Sequence, residues 1–509
     1  MFFNSIFAWQ MKKRLKQIDL FRYFPIEVQE NVLKNNIKKS INTIWGIKYK
    51  YSTIQTYQDF SRTVPLQEYE HVKSWIDNLI DNEQNLLWPS KIKWFAKSSG
   101  TTSDRSKLIP VTKEALIECH QKGGKDLLAL YYLNYPLAKL YKGKHLVIGG
   151  SAEINPLSIN SFIGDLSAII VDTLPWWAEI KRTPSKSIAL MSNWEEKIEQ
   201  IALKTINEDI RVLIGVPSWT MVLLNKVLEI SGKKNLKEVW PNLELFMHGG
   251  VSFEPYIEEF KKIIPDSSMN YLESYNASEG FFGIQDQLDS KELLLMLDYG
   301  IFYEFIPMSE FDGCNSTGVI ELSEIELDLN YALVISTNAG LWRYIIGDTV
   351  KFTSKSPYRF VITGRTKSFI NVFGEELIVD NVEKAIAEAS IQTNSQIRDY
   401  TACPIFMKDN KRGKHEWLIE FVYPPKDLEK FGISLDENLR RLNSDYDAKR
   451  IKNMVLDFPE IKILENGTFD KWLKSKGKLG GQNKVPRLSN SREYVDEILA
   501  VSFVSTDFN

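Results

Sequence analysis

A two-part α/β fold is what the sequence predicts, and three observations predict it. Short apolar runs rich in β-branched residues, HLVIGG (145–150), VLIGVPS (212–218), LELFMHGG (243–250) and YALVIST (331–337), alternate with helical patterns such as 194–204 and 219–230, as α/β layers with sizeable sheets require. Between residues 296 and 363 the helical signals fade. There MLDYGIFYEFIP, GVIELSEIEL and LWRYIIGDTVKF read as strands broken by Asp-Gly, Asn-Ser and Ser-Lys turn chemistry, a small barrel or antiparallel sheet. After Arg365 the composition shifts to charged helices and short strands, including VDNVEKAIAEAS (379–390) and HEWLIEFVYPP (415–425). The expected hinge lies near Thr366 to Ser368, giving a large N-terminal domain over residues 1–366 and a smaller α+β C-terminal domain over 367–509.

Size and composition agree with this division. A chain of 509 residues exceeds what one hydrophobic core usually supports. Its 13 Trp, 21 Tyr and 27 Phe supply large buried areas, which argues against wholesale disorder. The stretch VPLQEYEHVKSWIDNLIDN (64–82) repeats apolar residues at three- and four-residue spacing after a proline, as a surface helix does. The opening Met1 to Gln10 is apolar and aromatic, is followed by Lys12, Lys13 and Arg14, and lacks a small-residue cleavage site. It reads as an amphipathic first helix rather than an export signal or membrane anchor.

Charge and cysteine usage narrow the function. A net charge of −3 provides no global basic field for nucleic acid, so any phosphate binding is local. Cys119, Cys314 and Cys403 are widely spaced and lack CxxC spacing, indicating neither a disulfide framework nor a zinc site and favouring a reducing cytoplasm. His71, His120, His145, His248 and His415 show no metal-ligand spacing and read as structural or surface residues. Trp176, Trp177, Trp219, Phe281 and Phe282 could flank an apolar chain or ring of a ligand, with core packing as the simpler alternative.

Four segments carry candidate chemistry. The first, Lys97-Ser98-Ser99-Gly100-Thr101-Thr102-Ser103-Asp104-Arg105-Ser106-Lys107, is a run of small hydroxyl residues ending on cations. Glycine lets backbone approach a phosphate closely, N–H groups and hydroxyls donate to it, and lysine adds a compact positive charge. The spacing is not that of a P-loop, and an ordinary turn is the plainer alternative. The second, Tyr275-Asn276-Ala277-Ser278-Glu279-Gly280, offers an aromatic face for a purine, a hydroxyl donor and a hard oxygen ligand for Mg²⁺. Upstream, His248-Gly249-Gly250 ends a strand where a glycine pair allows close approach to a flat ligand. The third is Trp342-Arg343-Tyr344-Ile345-Ile346-Gly347-Asp348, with Gly364-Arg365 beyond it. A carboxylate for ribose hydroxyls and an arginine for ribose or phosphate would complete a nucleotide site, although an Asp after a Gly also makes a simple turn. The fourth, Gly480-Gly481-Gln482-Asn483-Lys484-Val485-Pro486-Arg487, is a glycine pair ahead of a lysine, which reads as a solvated loop or as a charge delivered by domain motion.

With these four motifs in this order, the chain resembles the Gretchen Hagen family of acyl-acid amido synthetases, named from auxin-responsive plant genes. VPLQEYEHVKSWIDNL, KSSGTTSDRSKLIPVT, YNASEGFFG, WRYIIGD and the NSDY and KVPR segments carry the resemblance over nearly the whole chain. It implies the adenylate-forming superfamily architecture: a large domain of α/β layers plus a small β-barrel, and a smaller mobile C-terminal domain. It also implies an ATP- and Mg²⁺-dependent ligase that activates a small carboxylic acid as an acyl-adenylate and passes the acyl group to an amine such as an amino acid. By resemblance, Ser98, Ser99, Gly100, Thr101 and Thr102 with Lys107 form the phosphate loop, and Tyr275 stacks on adenine. Gly249 and Gly250 border the nucleotide, Ser278 meets the α-phosphate and Glu279 holds Mg²⁺. Asp348 takes the ribose, Arg365 sits at the hinge and Lys484 is the mobile lysine. Asp104 departs from the superfamily's glycine-rich loop and leaves the roles of 103–106 open. Transfer to coenzyme A or a carrier thiol, and a nucleotide-binding protein without catalysis, are the alternatives. Neither nucleic acid nor membrane is expected as a partner, and the oligomeric state is left open with a monomer favoured.

Overall fold

The computed structural model describes residues 2–98, 107–149, 155–158, 160–191, 193–250, 253, 256–288, 290–366, 369–370, 375, 377–405, 413–443, 446–447, 450, 456–478, 484–489 and 491–504. Backbone contacts divide the chain into two compact units. One comprises Met1–Ser98, Arg105–Ile346 and Val350–Val361; the other includes Gly347–Thr349 and Ile362–Asn509.

A twelve-stranded sheet organises the larger unit. Its order from one edge is Ile320–Glu321, Ile301–Pro307, Asn330–Thr337, Tyr344–Lys355, Tyr358–Arg365, Leu293–Leu295, Gly280–Ile284, Asn270–Ala277, Leu245–Gly249, Ile210–Gly215, Lys144–Val147 and Arg182–Thr183. The last five run parallel to one another. Helices Trp194–Thr205, Pro217–Ser231 and Ile257–Ile263 connect or follow them, as parallel crossovers require. Their residues alternate between two cores. Leu245 and Met247 enter one with Val212, while Phe246 joins Leu213 and Leu146 in the other. Burial on both faces explains why these strands read as continuous apolar runs. Of the two forms expected for 296–363, the chain takes the antiparallel sheet: Ile301–Pro307 pairs antiparallel with Asn330–Thr337 and with Ile320–Glu321.

A four-stranded sheet, ordered Lys107–Val111, Trp94–Ser98, Ser161–Gly164, Asn155–Ser158, lies in the same unit. The helix expected over 64–82 is shorter, Tyr69–Ile80, because Glu68 accepts from the first turn and His71 reaches back in a capping box. Val72, Ile76 and Leu79 form its buried stripe. The first helix, Phe2–Tyr23, buries Ile18 and Phe21. It also buries Arg14, whose guanidinium donates to both Asp126 oxygens at 2.9 Å and to both Asp298 oxygens at 2.7 and 2.6 Å.

In the smaller unit, a three-stranded sheet of Gln396–Ile405, Lys414–Tyr423 and Glu460–Leu464 packs with helices Val379–Thr393 and Leu428–Leu442 around Trp417, Ile419, Phe431 and Leu435. Among the described residues no helix is long and apolar enough to cross a membrane, and Cys119, Cys314 and Cys403 are free thiols.

Candidate active site

In the larger unit the second motif is a tight hairpin. Strand Asn270–Ala277 turns through Ser278 and Glu279 into Gly280–Ile284, with Gly280 opposite Ala277. Ser278 and Glu279 are each only 8% exposed although they occupy a turn, a position normally solvated. Tyr275 is 7% exposed, its ring 4.8 Å from Phe282 and 6.1 Å from Phe360. Gly249 ends the neighbouring parallel strand in register with Ser274. An ideal Cβ on Gly249 would lie 2.3 Å from the Ser274 carbonyl oxygen, so glycine is required there by the approach of two strands. Gly250 follows at φ +81°. His248 is buried against Phe253, ring centroids 4.2 Å apart, and burial pushes its pKa down to about 3. It therefore stays neutral, a wall rather than a base.

The first motif joins strands Trp94–Ser98 and Lys107–Val111, which pair antiparallel with Ser98 opposite Lys107. Ser99, Gly100, Thr101 and Thr102 lie outside the described residues, as does the Ser98 side chain. Lys107 stands at the foot of this hairpin with its Nζ 5.6 Å from the centre of the Tyr69 ring. The Tyr69 hydroxyl accepts the Leu108 N–H at 2.9 Å. Tyr69, at the start of the helix 69–80, thus fixes both residues, and its place in an amphipathic pattern gave no sign of that contact.

The smaller unit gathers the remaining candidates. Arg365 Nε lies 2.9 Å from Asp348 Oδ1. Gly347, at φ +92°, accepts the Thr366 N–H at 2.8 Å on its carbonyl, and the Thr363 hydroxyl donates to that of Thr349 at 2.9 Å. These bonds hold the two chain segments side by side, so the carboxylate and guanidinium are placed by backbone. Lys484 shares their field. Desolvation, and after it the Arg365 charge, push its pKa down to about 8, while Asp348 and Glu383 oppose the shift. Lys484 as a residue is exposed, so water screens this depression. Glu383, on the helix Val379–Thr393, is a fourth member that the sequence pattern did not single out. Gly480 and Gly481 lie outside the described residues.

A divalent cation was expected at Glu279. Among the described residues no group of three or more His, Cys, Asp or Glu side chains could hold a metal by itself. Mg²⁺ commonly takes one or two carboxylates and completes its octahedron with water and substrate phosphates. A single buried carboxylate at a hairpin tip fits an ion that arrives with a nucleotide.

In fold the chain is similar to the solved GH3.15 acyl acid amido synthetase, with TM-score 0.76, 18% identity and 93% of each chain covered. It is also similar to 2-hydroxyisobutyryl-CoA ligase in its postadenylation state, with TM-score 0.58, 11% identity, and 93% and 91% covered. The architecture is that of an adenylate-forming ligase with a separate C-terminal domain. Residues 14–269, 294–365 and 380–493 match the N-terminal, central and C-terminal domains of the GH3 family, and the chain belongs to that family. Indole-3-acetic acid-amido synthetase GH3.4 of Arabidopsis thaliana is 24% identical over 93% of this chain and 91% of its own. The 4-substituted benzoates-glutamate ligase GH3.12 of the same plant is 23% identical over 96% of each. The resemblance drawn from the motifs holds, and the chain is a ligase of the amido synthetase kind.

Proposed function

We propose that this enzyme uses ATP to activate a small carboxylic acid and then joins the acyl group to an amino acid, releasing AMP. The match of all three GH3 domains along one chain carries this reading. An acid carboxylate oxygen attacks the α-phosphorus in line, the bond to the β-phosphate bridge breaks, and pyrophosphate leaves. The amine nitrogen then attacks the acyl carbon, the acyl–phosphate oxygen bond breaks, AMP leaves, and the amine proton passes to solvent. No covalent bond to the protein is needed, so the side chains act by position and charge.

Asp348 and Arg365 receive the ribose and its phosphate, and Lys484 places a cation at the developing phosphate charge. Lys107 and the loop 98–102 hold the triphosphate. Tyr275, Gly249 and Gly250 border the base, and Ser278 meets the α-phosphate. Glu279 holds Mg²⁺, which supplies charge neutralisation on the phosphates. Residues 367–509 act as a domain that turns between half-reactions, in a monomer in the reducing cytoplasm.

Pyrophosphate exchange into ATP, run over a panel of aromatic, indole and fatty acids, tests the first step. AMP release stimulated by amino acids rather than coenzyme A tests the second. Absence of exchange with every acid would leave a nucleotide-binding protein without adenylation and overturn the reading.

A further inference from the structure

The helix that packs on the Ser278–Glu279 hairpin is not α-helical throughout. Residues Ala115–Gln121 form a π-helix, continued as α-helix over Lys122–Asn134. A π-turn admits an extra residue, which rotates later side chains by roughly 100° relative to an uninterrupted α-helix. Such turns recur at functional sites. Here two residues of this helix meet the outgoing arm of the hairpin. Cys119 Sγ accepts the backbone N–H of Phe281 at 3.2 Å. Across the hairpin Phe281 stands opposite Asn276; on the other side the strand Leu293–Leu295 is in register with Gly283 and Ile284, and at Phe281 the sulfur takes up the backbone N–H. Four residues on, an ideal Cβ at Gly123 would lie 2.5 Å from the Phe281 ring, which therefore rests on the helix backbone.

The opposite side is equally constrained. The Phe281 ring meets Tyr299 edge-on at 5.9 Å, and the Tyr299 hydroxyl donates to buried Asp126 at 2.7 Å. A Cβ on Gly280 would fall 2.6 Å from Ile301. Burial pushes the Cys119 thiol up to about 12, so it remains a protonated thiol with sulfur lone pairs for the Phe281 N–H. The result is a short rigid arm: Phe281 is held by sulfur, glycine and tyrosine, and Glu279 projects two residues before it.

We propose that Cys119, with Gly123, is a positioning residue that fixes the Glu279 carboxylate for the magnesium nucleotide. This rests on the assignment of Glu279 as the metal ligand. The proper orientation of a ligating carboxylate is set by groups that never touch the ion, and losing such a group typically costs roughly 10- to 100-fold in metal affinity.

The test titrates magnesium chloride into the enzyme with a non-hydrolysable ATP analogue by calorimetry, alongside melting curves and the KM for the acid. Cys119→Ala is expected to raise the half-saturating magnesium about tenfold or more with little change in the acid KM. Cys119→Ser, which keeps an acceptor, is expected to recover most of that loss. Gly123→Ala, which displaces the Phe281 ring, gives a second route if Cys119→Ala does not fold. Glu279→Gln serves as the reference. If it raises the magnesium requirement while folded Cys119→Ala and Gly123→Ala keep the wild-type value, the positioning role is overturned. If Glu279→Gln itself leaves magnesium binding unchanged, the metal assignment fails, and the inference with it.

Discussion

Arg365 Nε and Asp348 Oδ1 lie 2.9 Å apart, joining two segments that the Gly347–Thr366 backbone bond already aligns. A carboxylate fixed this firmly contributes to binding in ground and transition states alike. Asp348→Ala is therefore expected to raise the KM for ATP with kcat nearly unchanged. A hydrogen bond to a charged group is worth about 1.5–3 kcal/mol, or roughly tenfold to a hundredfold. An unchanged ATP affinity by calorimetry would remove Asp348 from the ribose.

Lys484 divides the two half-reactions. If the C-terminal domain presents it only during adenylation, Lys484→Ala loses pyrophosphate exchange by roughly 10²–10³. Chemically supplied acyl-adenylate should still be transferred to the amino acid. Equal loss in both steps would mean one fixed domain orientation.

The depressed pKa of Lys484 gives a pH dependence with a definite sign. The ammonium is charged below its pKa, so exchange should fall as pH rises through about 8, well before the 10.5 of a free lysine. Glu383 stabilises the charged form. Glu383→Gln should move the falling limb to lower pH, and a limb that stays in place would break the link between the two residues.

Three buried histidines govern acid stability. Burial pushes His120 and His145 down to about 4 and His248 to about 3, against 6.5 for each when exposed. Between the unfolded and folded values the unfolded chain binds the extra protons, so stability is full above about 6.5 and declines on acidification. Each contributes on the order of 2 kcal/mol of loss by pH 5. His248→Gln should show a smaller drop in unfolding free energy between pH 7 and 5 than wild type; an identical drop would contradict its neutral state.

The sequence revealed most where one physical demand dominates. Leu245–Gly249 was readable because a strand buried on both faces must be apolar and must end where Ser274 leaves no room for a Cβ. Arg365 and Asp348 were readable as chemistry, although their mutual bond was not, since pairing across seventeen residues has no local signature. Tyr69 was hidden inside a helical stripe, and the π-turn at 115–121 was hidden because no composition marks an extra residue per turn. Arg14 appeared to be a flanking cation, yet it is a buried partner of carboxylates 112 and 284 residues away.

That separation has a temporal side. During synthesis the Phe2–Tyr23 helix emerges well before Asp298, which completes the ion pairs of Arg14 and follows it by 284 residues. At about 5–20 residues per second the delay is on the order of 15–60 s. Through that interval Ile18 and Phe21, buried in the finished protein, have no completed core to enter. A segment made early thus completes its buried ion pairs only with strands made much later.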